Sequence, residues 1–153
     1  MKIIETNIAG KTIRLNHEKL DHVVLDGMDL HRAILSKETL KGSSLRNVDA
    51  RNINLEGSDL TGVDLSGACL ANALLDNTNL RNAIMIDTIL DGASLVNANI
   101  ELADLSGTSL IATDFSNARM YGVKLSDAEY GESTIWPADF DPREHGAVLL
   151  NGF

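Results

Sequence analysis

The chain lacks the features of secreted and membrane proteins. Its 153 residues include a single cysteine, Cys69, which excludes an internal disulfide bond. No apolar run reaches the length of a signal peptide or of a membrane span. These absences predict a cytoplasmic protein that does not associate with membranes. The length predicts one domain over residues 1–153.

Positive charge is scarce in the middle of the chain. Residues 52–118 hold nine acidic residues and one basic residue, Arg81, so their net charge is −8. Residues 1–51 hold nine Lys or Arg and seven acids, a net charge of +2, and the whole chain carries −9. Direct contact with nucleic acid is not expected, because phosphates need a basic surface. The acidic middle either keeps the protein soluble or faces a basic groove in a partner.

Leucine, by contrast, recurs at every fifth position. Of the 23 positions divisible by five from Leu20 to Tyr130, 17 are leucine. A second register lies two residues before each of them, and 19 of its 23 positions are Ala, Ser, Thr or Val. On a helix, this spacing would spread the leucines around every face, and on an uninterrupted strand they would alternate between two faces. Neither element alone explains the pattern.

Very short strands joined by corners satisfy both registers. Ala68 and Leu70 point inward from one strand, two corner residues follow, and the next strand begins at Ala73. Each corner turns the chain by about 90°, so four sides close a coil of 20 residues, and successive coils stack at about 4.8 Å. Gly or Asn fills the second corner position in most repeats, as the tight or left-handed backbone of a turn requires.

The sequence resembles the pentapeptide-repeat family, whose consensus is Ala-(Asp/Asn)-Leu-x-x. The resemblance covers residues 16–135 and rests on segments such as Ser-Asp-Leu-Thr-Gly at 58–62, Val-Asp-Leu-Ser-Gly at 63–67 and Ala-Asp-Leu-Ser-Gly at 103–107. It implies an all-β fold, a right-handed quadrilateral β-helix of about six coils. Most members of this family have no established activity.

Both ends of the repeat are predicted to carry caps, because an open end exposes core side chains and strand edges. Residues 1–15 predict an N-terminal cap of one or two strands, with a turn near residues 9–11. Residues 136–153 predict a C-terminal cap in which the structural residues Trp136 and Phe140 cover the open lumen.

Other residues near the ends carry smaller predictions. Asp141 followed by Pro142 is typical of a helix start, and residues 147–150 are interpreted as a short apolar helix end. Glu18 and Glu38 occupy the small inward register, where a carboxylate does not belong in an apolar lumen. We interpret both as reaching solvent from irregular first coils, with a buried functional carboxylate as the alternative.

Motifs for catalysis or cofactor binding are absent. The chain has no phosphate-binding Gly-x-x-x-x-Gly-Lys loop, no Gly-x-Ser-x-Gly turn, and no Cys-x-x-Cys or His-x-x-x-His pair. His17, Asp21 and His22 could be imagined as metal ligands, but residues five apart lie on neighbouring sides of the square and their side chains diverge. A rod without a cleft offers no pocket. We therefore expect no enzymatic activity, no metal and no cofactor.

Four isoleucines occupy outward positions where polar residues are typical. Ile84 and Ile86 flank Met85 on one side, Ile89 opens the next side, and Ile111 lies one coil further on. A contiguous apolar group on an acidic rod predicts a contact surface, either for an unknown protein partner or for a second copy in a homodimer. Chance clustering would produce the same pattern.

The predicted function is a non-catalytic protein-interaction scaffold, as repeat architectures commonly provide. The alternative is a DNA-mimicking topoisomerase (gyrase) modulator resembling the quinolone-resistance pentapeptide proteins. Those members are generally longer rods, and some have projecting loops. Only the acidic middle of this shorter, loop-free chain favours the alternative.

Overall fold

Short strands and one 3₁₀ helix mark the two ends of the molecule. The computed structural model describes residues 2–6 and 12–15 as backbone and residues 19–151 in full. The named elements are β1 (Lys2–Thr6), β2 (Thr12–Leu15), β3 (Ala33–Ile34), β4 (Glu129–Tyr130), the 3₁₀ helix (Pro142–His145) and β5 (Val148–Leu149). Strand β1 pairs antiparallel with both β2 and β3. The turn predicted near residues 9–11 and the residue Glu18 lie outside the described residues.

Between the ends, the chain forms four ladders of single-residue parallel bridges, with one bridge per side for every 20 residues. Corners interrupt the chain every five residues, so no longer strand can form there. Side 1 joins Val24, Ser44, Asp64, Ile84, Asp104 and Lys124; side 2 joins Asp29, Asp49, Cys69, Ile89, Ser109 and Glu129; side 3 joins Ile34, Asn54, Leu74, Ser94, Asp114 and Ile135; side 4 joins Thr39, Asp59, Asn79, Asn99 and Arg119.

Backbone hydrogen bonds fix the spacing between neighbouring coils. On side 2, the Leu70 N–H donates to the Ile89 carbonyl oxygen at 2.8 Å, and the Ile89 N–H donates back to Ala68 at 3.0 Å. At the following corner, the Asn72 N–H donates to the Asp91 carbonyl at 2.9 Å. Asn72 has a φ of 56° and Gly67 a φ of 68°, so the left-handed backbone predicted at the second corner position is confirmed.

The leucine register lines a continuous buried core. Leu65 and Leu70 are fully buried, and so are most small residues two positions earlier. Buried hydroxyls in the small register find acceptors: Thr88 Oγ1 donates to the Leu65 carbonyl at 2.9 Å, and Thr113 Oγ1 donates to the Leu90 carbonyl at 2.8 Å. The burial of both predicted registers is thus confirmed along most of residues 20–130, whereas Glu38 is half-buried.

The C-terminal segment differs in part from its prediction. Asp141 caps the 3₁₀ helix, its Oδ1 accepting the Arg143 N–H at 3.0 Å, as predicted. The helix predicted over residues 147–150 is wrong, because β5 pairs parallel with β4 there. Gly146, with a φ of 91°, ends the 3₁₀ helix. The Val148 N–H then donates to the Ala128 carbonyl at 2.7 Å, which extends side 2.

Candidate functional site

The four isoleucines lie around one corner of the coil. Ile84 belongs to side 1, Ile86 to the corner between sides 1 and 2, and Ile89 to side 2. Their exposed fractions are 41%, 38% and 42%. Ile111 stands at the corner between sides 2 and 3, one coil further along, and is half-buried. We call these four residues the isoleucine patch. Side chains of this size exposed together form an apolar surface on the outside of the stack.

A carboxylate is fixed beside this patch. Asp91 Oδ1 accepts hydrogen bonds from the Ser109 hydroxyl at 2.6 Å and from the Ile111 N–H at 3.2 Å. These two bonds cross from one coil to the next, so they tie the corner that holds Ile111 to the coil that holds Ile89. The apolar surface therefore has a rigid polar rim on its side 3 edge.

Sequence reasoning missed a further exposed apolar residue, on the side that follows the one holding Ile89. Leu74 lies on side 3, one corner beyond side 2, and is 46% exposed. It fills the outward middle position of its repeat, where the consensus places Asp or Asn. That departure from the consensus was the available signal. A separate exposed pair, Leu102 at 43% and Tyr121 at 81%, lies at the corner between sides 4 and 1.

Aromatic rings cluster at the C-terminal end of the core. Trp136 stacks on the buried Phe115, with ring centroids 5.0 Å apart, and Phe140 stacks on Trp136 at 5.5 Å. Tyr130 meets the edge of Trp136 at 5.4 Å. Both predicted cap residues thus pack at the end of the leucine core, and their contribution to stability stays a prediction.

The expectation that the rod offers no pocket is wrong at this end. An open hollow of about 580 Å³ is lined by residues that include Tyr130, Trp136 and Arg143. A neighbouring hollow of about 430 Å³ lies between Met120 and Phe140. The repeat pattern could not predict them, because the folded-back tail forms their walls.

Ion pairs concentrate in the first coils and on sides 4 and 1. Arg46 pairs with Asp26 at 3.0 Å, and Lys41 pairs with Asp59 at 3.1 Å. The Ser44 hydroxyl and then Arg46 lower the pKa of Asp26. Burial raises the pKa of Asp59, but hydrogen bonds from Thr61 and Lys41 outweigh it and the net shift is downward. The first coils therefore contain carboxylates that are stabilised in their charged form.

Acid should destabilise the protein through these carboxylates. Asp26 and Asp59 have lowered pKa values in the folded state, so their contribution is present above the unfolded pKa of about 3.9 and is lost as the pH falls through the folded value. We expect a Tm that is nearly constant from neutral pH to about pH 5 and that falls below about pH 4. Thermal unfolding at a series of pH values measures this. A smaller fall is expected for Asp26→Asn, and a parent Tm that stays constant down to about pH 3 would contradict the prediction.

Comparison with known proteins decides the family. The sequence profile of the pentapeptide repeats matches the chain in eight copies over residues 39–77, 70–101 and 88–127, which together make up more than half of its length. The chain belongs to the pentapeptide-repeat family. No curated protein matches it in sequence. Its four ladders thus agree with the family fold, a right-handed quadrilateral β-helix.

Solved pentapeptide-repeat structures support the fold. The protein Rfr23 of the cyanobacterium Cyanothece 51142 is 25% identical to this chain, with a TM-score of 0.63, and the match covers 77% of this chain and 87% of Rfr23. A trypsin-treated form of QnrB1, a plasmid-mediated fluoroquinolone resistance protein, is 16% identical, with a TM-score of 0.50, and the match covers 84% of this chain and 90% of that one. The second likeness concerns the fold alone.

Pentapeptide-repeat proteins are generally non-enzymatic structural or interaction proteins. In the part of this chain that the structure describes, no three His, Cys, Asp or Glu side chains converge as a metal site would require. His22 is exposed, and His17 lies outside the described residues. No helix among the described residues is long and apolar enough to cross a membrane.

Proposed function

We propose that this pentapeptide-repeat protein is a non-catalytic interaction scaffold that binds a protein partner through the isoleucine patch. The observation that carries the proposal is the joint exposure of Ile84, Ile86 and Ile89 on a rigid, hydrogen-bonded surface. Such a surface loses little conformational entropy on binding, because its backbone is already fixed by the ladder. Burial of its apolar side chains then contributes to affinity.

The outward side chains are the part of this chain that is free to specify a partner. In this fold the inward registers are committed to the core, and the corners are constrained to a turn backbone. Most outward positions between residues 52 and 118 are Asp, Asn, Ser or Thr, which keep a repeat protein soluble. Isoleucines at three outward positions within one coil depart from that composition and supply the anchor that a protein interface requires.

Converting the patch to aspartate should abolish binding without unfolding the protein. We expect the immobilised parent to retain a specific protein from a lysate of its native cell, and the Ile86→Asp, Ile89→Asp double variant to lose at least about 90% of it. Both side chains are partly exposed, so the Tm of the double variant should change little. Quantitative mass spectrometry of the retained proteins measures the loss.

Leu102→Asp with Tyr121→Asp provides a matched control. It introduces the same two charges at exposed apolar residues on another corner. We expect it to retain the partner as the parent does. Equal retention by the parent and by the patch variant would rule out the isoleucine patch as the binding surface.

A gyrase modulator is the second candidate, and the acidic middle of the chain favours it. The nine acids and one base of residues 52–118 give a potential that suits a basic DNA-binding groove. QnrB1, which shares the fold, is described as a fluoroquinolone resistance protein. A gyrase supercoiling assay with and without fluoroquinolone tests this function. If the protein neither inhibits gyrase nor protects it from the drug, this candidate function is excluded.

We also propose that the repeat forms about six coils closed at both ends, with residues 1–15 and 136–153 as caps. Trp136 and Phe140 support the C-terminal cap, because their rings pack directly against Phe115 of the core. The pairing of β1 with β3 supports an N-terminal cap, since it covers a strand edge on side 3.

A further inference from the structure

Sides 2 and 3 carry no basic residue from Asn52 up to the tail. In residues 52–141, Lys and Arg occur only at positions 81, 119 and 124. All three lie on side 4, on side 1 or at the corner between them. Each is already engaged: Arg81 with Glu101 at 3.4 Å, Arg119 with Glu101 at 2.6 Å, and Lys124 with Asp104 at 3.3 Å. The carboxylates on sides 2 and 3 of this part of the chain therefore have no Lys or Arg on their own sides to neutralise them.

Acidic residues surround the isoleucine patch on those sides. Asp87 follows Ile86 at the corner between sides 1 and 2, and Asp91 occupies the same corner as Ile111, one coil earlier. Asp114 lies on side 3, one coil beyond Ser94, and Asp76 lies at the corner between sides 3 and 4 that follows Leu74. Asp76 Oδ1 accepts the Val96 N–H at 3.1 Å, as Asp91 accepts that of Ile111, so both carboxylates are held by the coil above. The apolar surface thus has a negatively charged and partly immobilised rim.

Resting on the proposed function, we infer that the partner of the isoleucine patch is a basic amphipathic protein segment, with apolar residues on one face and Lys or Arg beside them. Apolar side chains would cover Ile84, Ile86 and Ile89, while cations would meet Asp87 and Asp91. Charged groups at the rim of an interface steer association and select partners, while the apolar centre supplies affinity.

The same charges argue against a second copy of this chain. A twofold contact through the patch would place Asp87 and Asp91 of one copy near the same residues of the other, because such an interface uses one surface twice. No cation of residues 52–118 is available to separate them, since Arg81 is paired with Glu101. Like charges brought together across an interface oppose association.

A synthetic amphipathic peptide with a Leu face and a Lys face serves as the probe. Its binding to the parent is measured by fluorescence anisotropy at several salt concentrations, together with a peptide that has Glu in place of every Lys. We expect the Lys peptide to bind, with affinity falling as salt rises, and the Glu peptide not to bind. Equal binding of the two peptides would overturn the inference.

Variants of the chain locate the binding. Asp87→Asn with Asp91→Asn should slow association of the Lys peptide roughly tenfold. Ile86→Ser with Ile89→Ser should weaken its affinity roughly tenfold without changing the charge. Glu56→Gln with Glu144→Gln makes the same charge change away from the patch and should alter association less than about twofold. Asn at position 91 keeps an acceptor for the Ser109 hydroxyl and the Ile111 N–H, and Asn at position 87 tolerates the left-handed backbone there, where φ is 55°.

The outcomes separate this inference from the proposed function. Suppose that the Ile86, Ile89 variant loses binding of the Lys peptide, while the Asp87, Asp91 variant binds it as the Glu56, Glu144 control does. That result would overturn the inference of a basic partner and leave the proposed scaffold function intact. A parent dimer in light scattering that dissociates in the Ile variant also overturns the inference, in favour of a second copy. If the lysate partner is retained regardless of Ile86 and Ile89, the proposed function fails as well.

Discussion

Replacing Leu70 with alanine is expected to destabilise the protein by about 2–5 kcal/mol. Leu70 is fully buried, and its neighbours in the same register of adjacent coils are Ala50 and Leu90. Ladder hydrogen bonds from Ala50 to Cys69 at 2.8 Å and from Leu70 to Ile89 at 2.8 Å hold the coils at a fixed spacing. The stack therefore cannot collapse into the gap. Because Ala50 is already small, the cost should lie toward the upper end of the range.

Leu74→Ala is the control for this prediction, because it makes the same chemical change on the outside of the stack. Leu74 is 46% exposed, so its loss should cost less than about 1 kcal/mol. Urea denaturation of both variants, with unfolding followed by circular dichroism, measures the two free energies. A similar loss of stability for Leu70→Ala and Leu74→Ala would contradict the assignment of inward and outward positions.

Removing residues 136–153 is expected to lower the Tm and to cause end-to-end association. The deletion takes away the Trp136 ring that stacks on Phe115. It also takes away strand β5, which leaves the Ala128 and Tyr130 carbonyl groups without the N–H donors of Val148 and Leu150. An exposed apolar core beside an unpaired strand edge is a template for the same edge of another chain.

Light scattering and thermal unfolding of the truncated chain test the cap. The matched control ends at Asn151, which keeps β5 and the aromatic stack, and it should behave as the parent does. A truncated chain that remains monomeric and as heat-stable as the parent would show that the tail is not a cap.

The core of this protein could be predicted from the sequence because its period allows one solution. Leucine at every fifth position fits neither a helix nor an uninterrupted strand, and it places Leu65 and Leu70 inside a four-sided coil. The tail has no such period. Within residues 147–150, Val148–Leu149 form strand β5 rather than a helix, because the edge of β4 accepts the N–H groups of Val148 and Leu150, a tertiary effect that no local pattern reveals.

The candidate surface was only partly predictable. The outward positions of Ile84, Ile86 and Ile89 follow from the register alone, and the structure shows all three exposed. Leu74 was overlooked although the same register places it outward, and its departure from the consensus Asp or Asn was the available signal. The absence of Lys and Arg from sides 2 and 3 within residues 52–118 becomes visible only when the charged residues of that range, net charge −8, are assigned to the four sides.

Oxidative footprinting of the chain with and without its retained partner tests the central claim most directly. Hydroxyl radicals modify exposed Ile, Leu and Tyr side chains, so the free protein should react at Ile84, Ile86, Ile89, Leu102 and Tyr121. We expect the partner to protect the three isoleucines and to leave Leu102 and Tyr121 reactive. Protection confined to Leu102 and Tyr121, with the isoleucines still oxidised, would contradict the account.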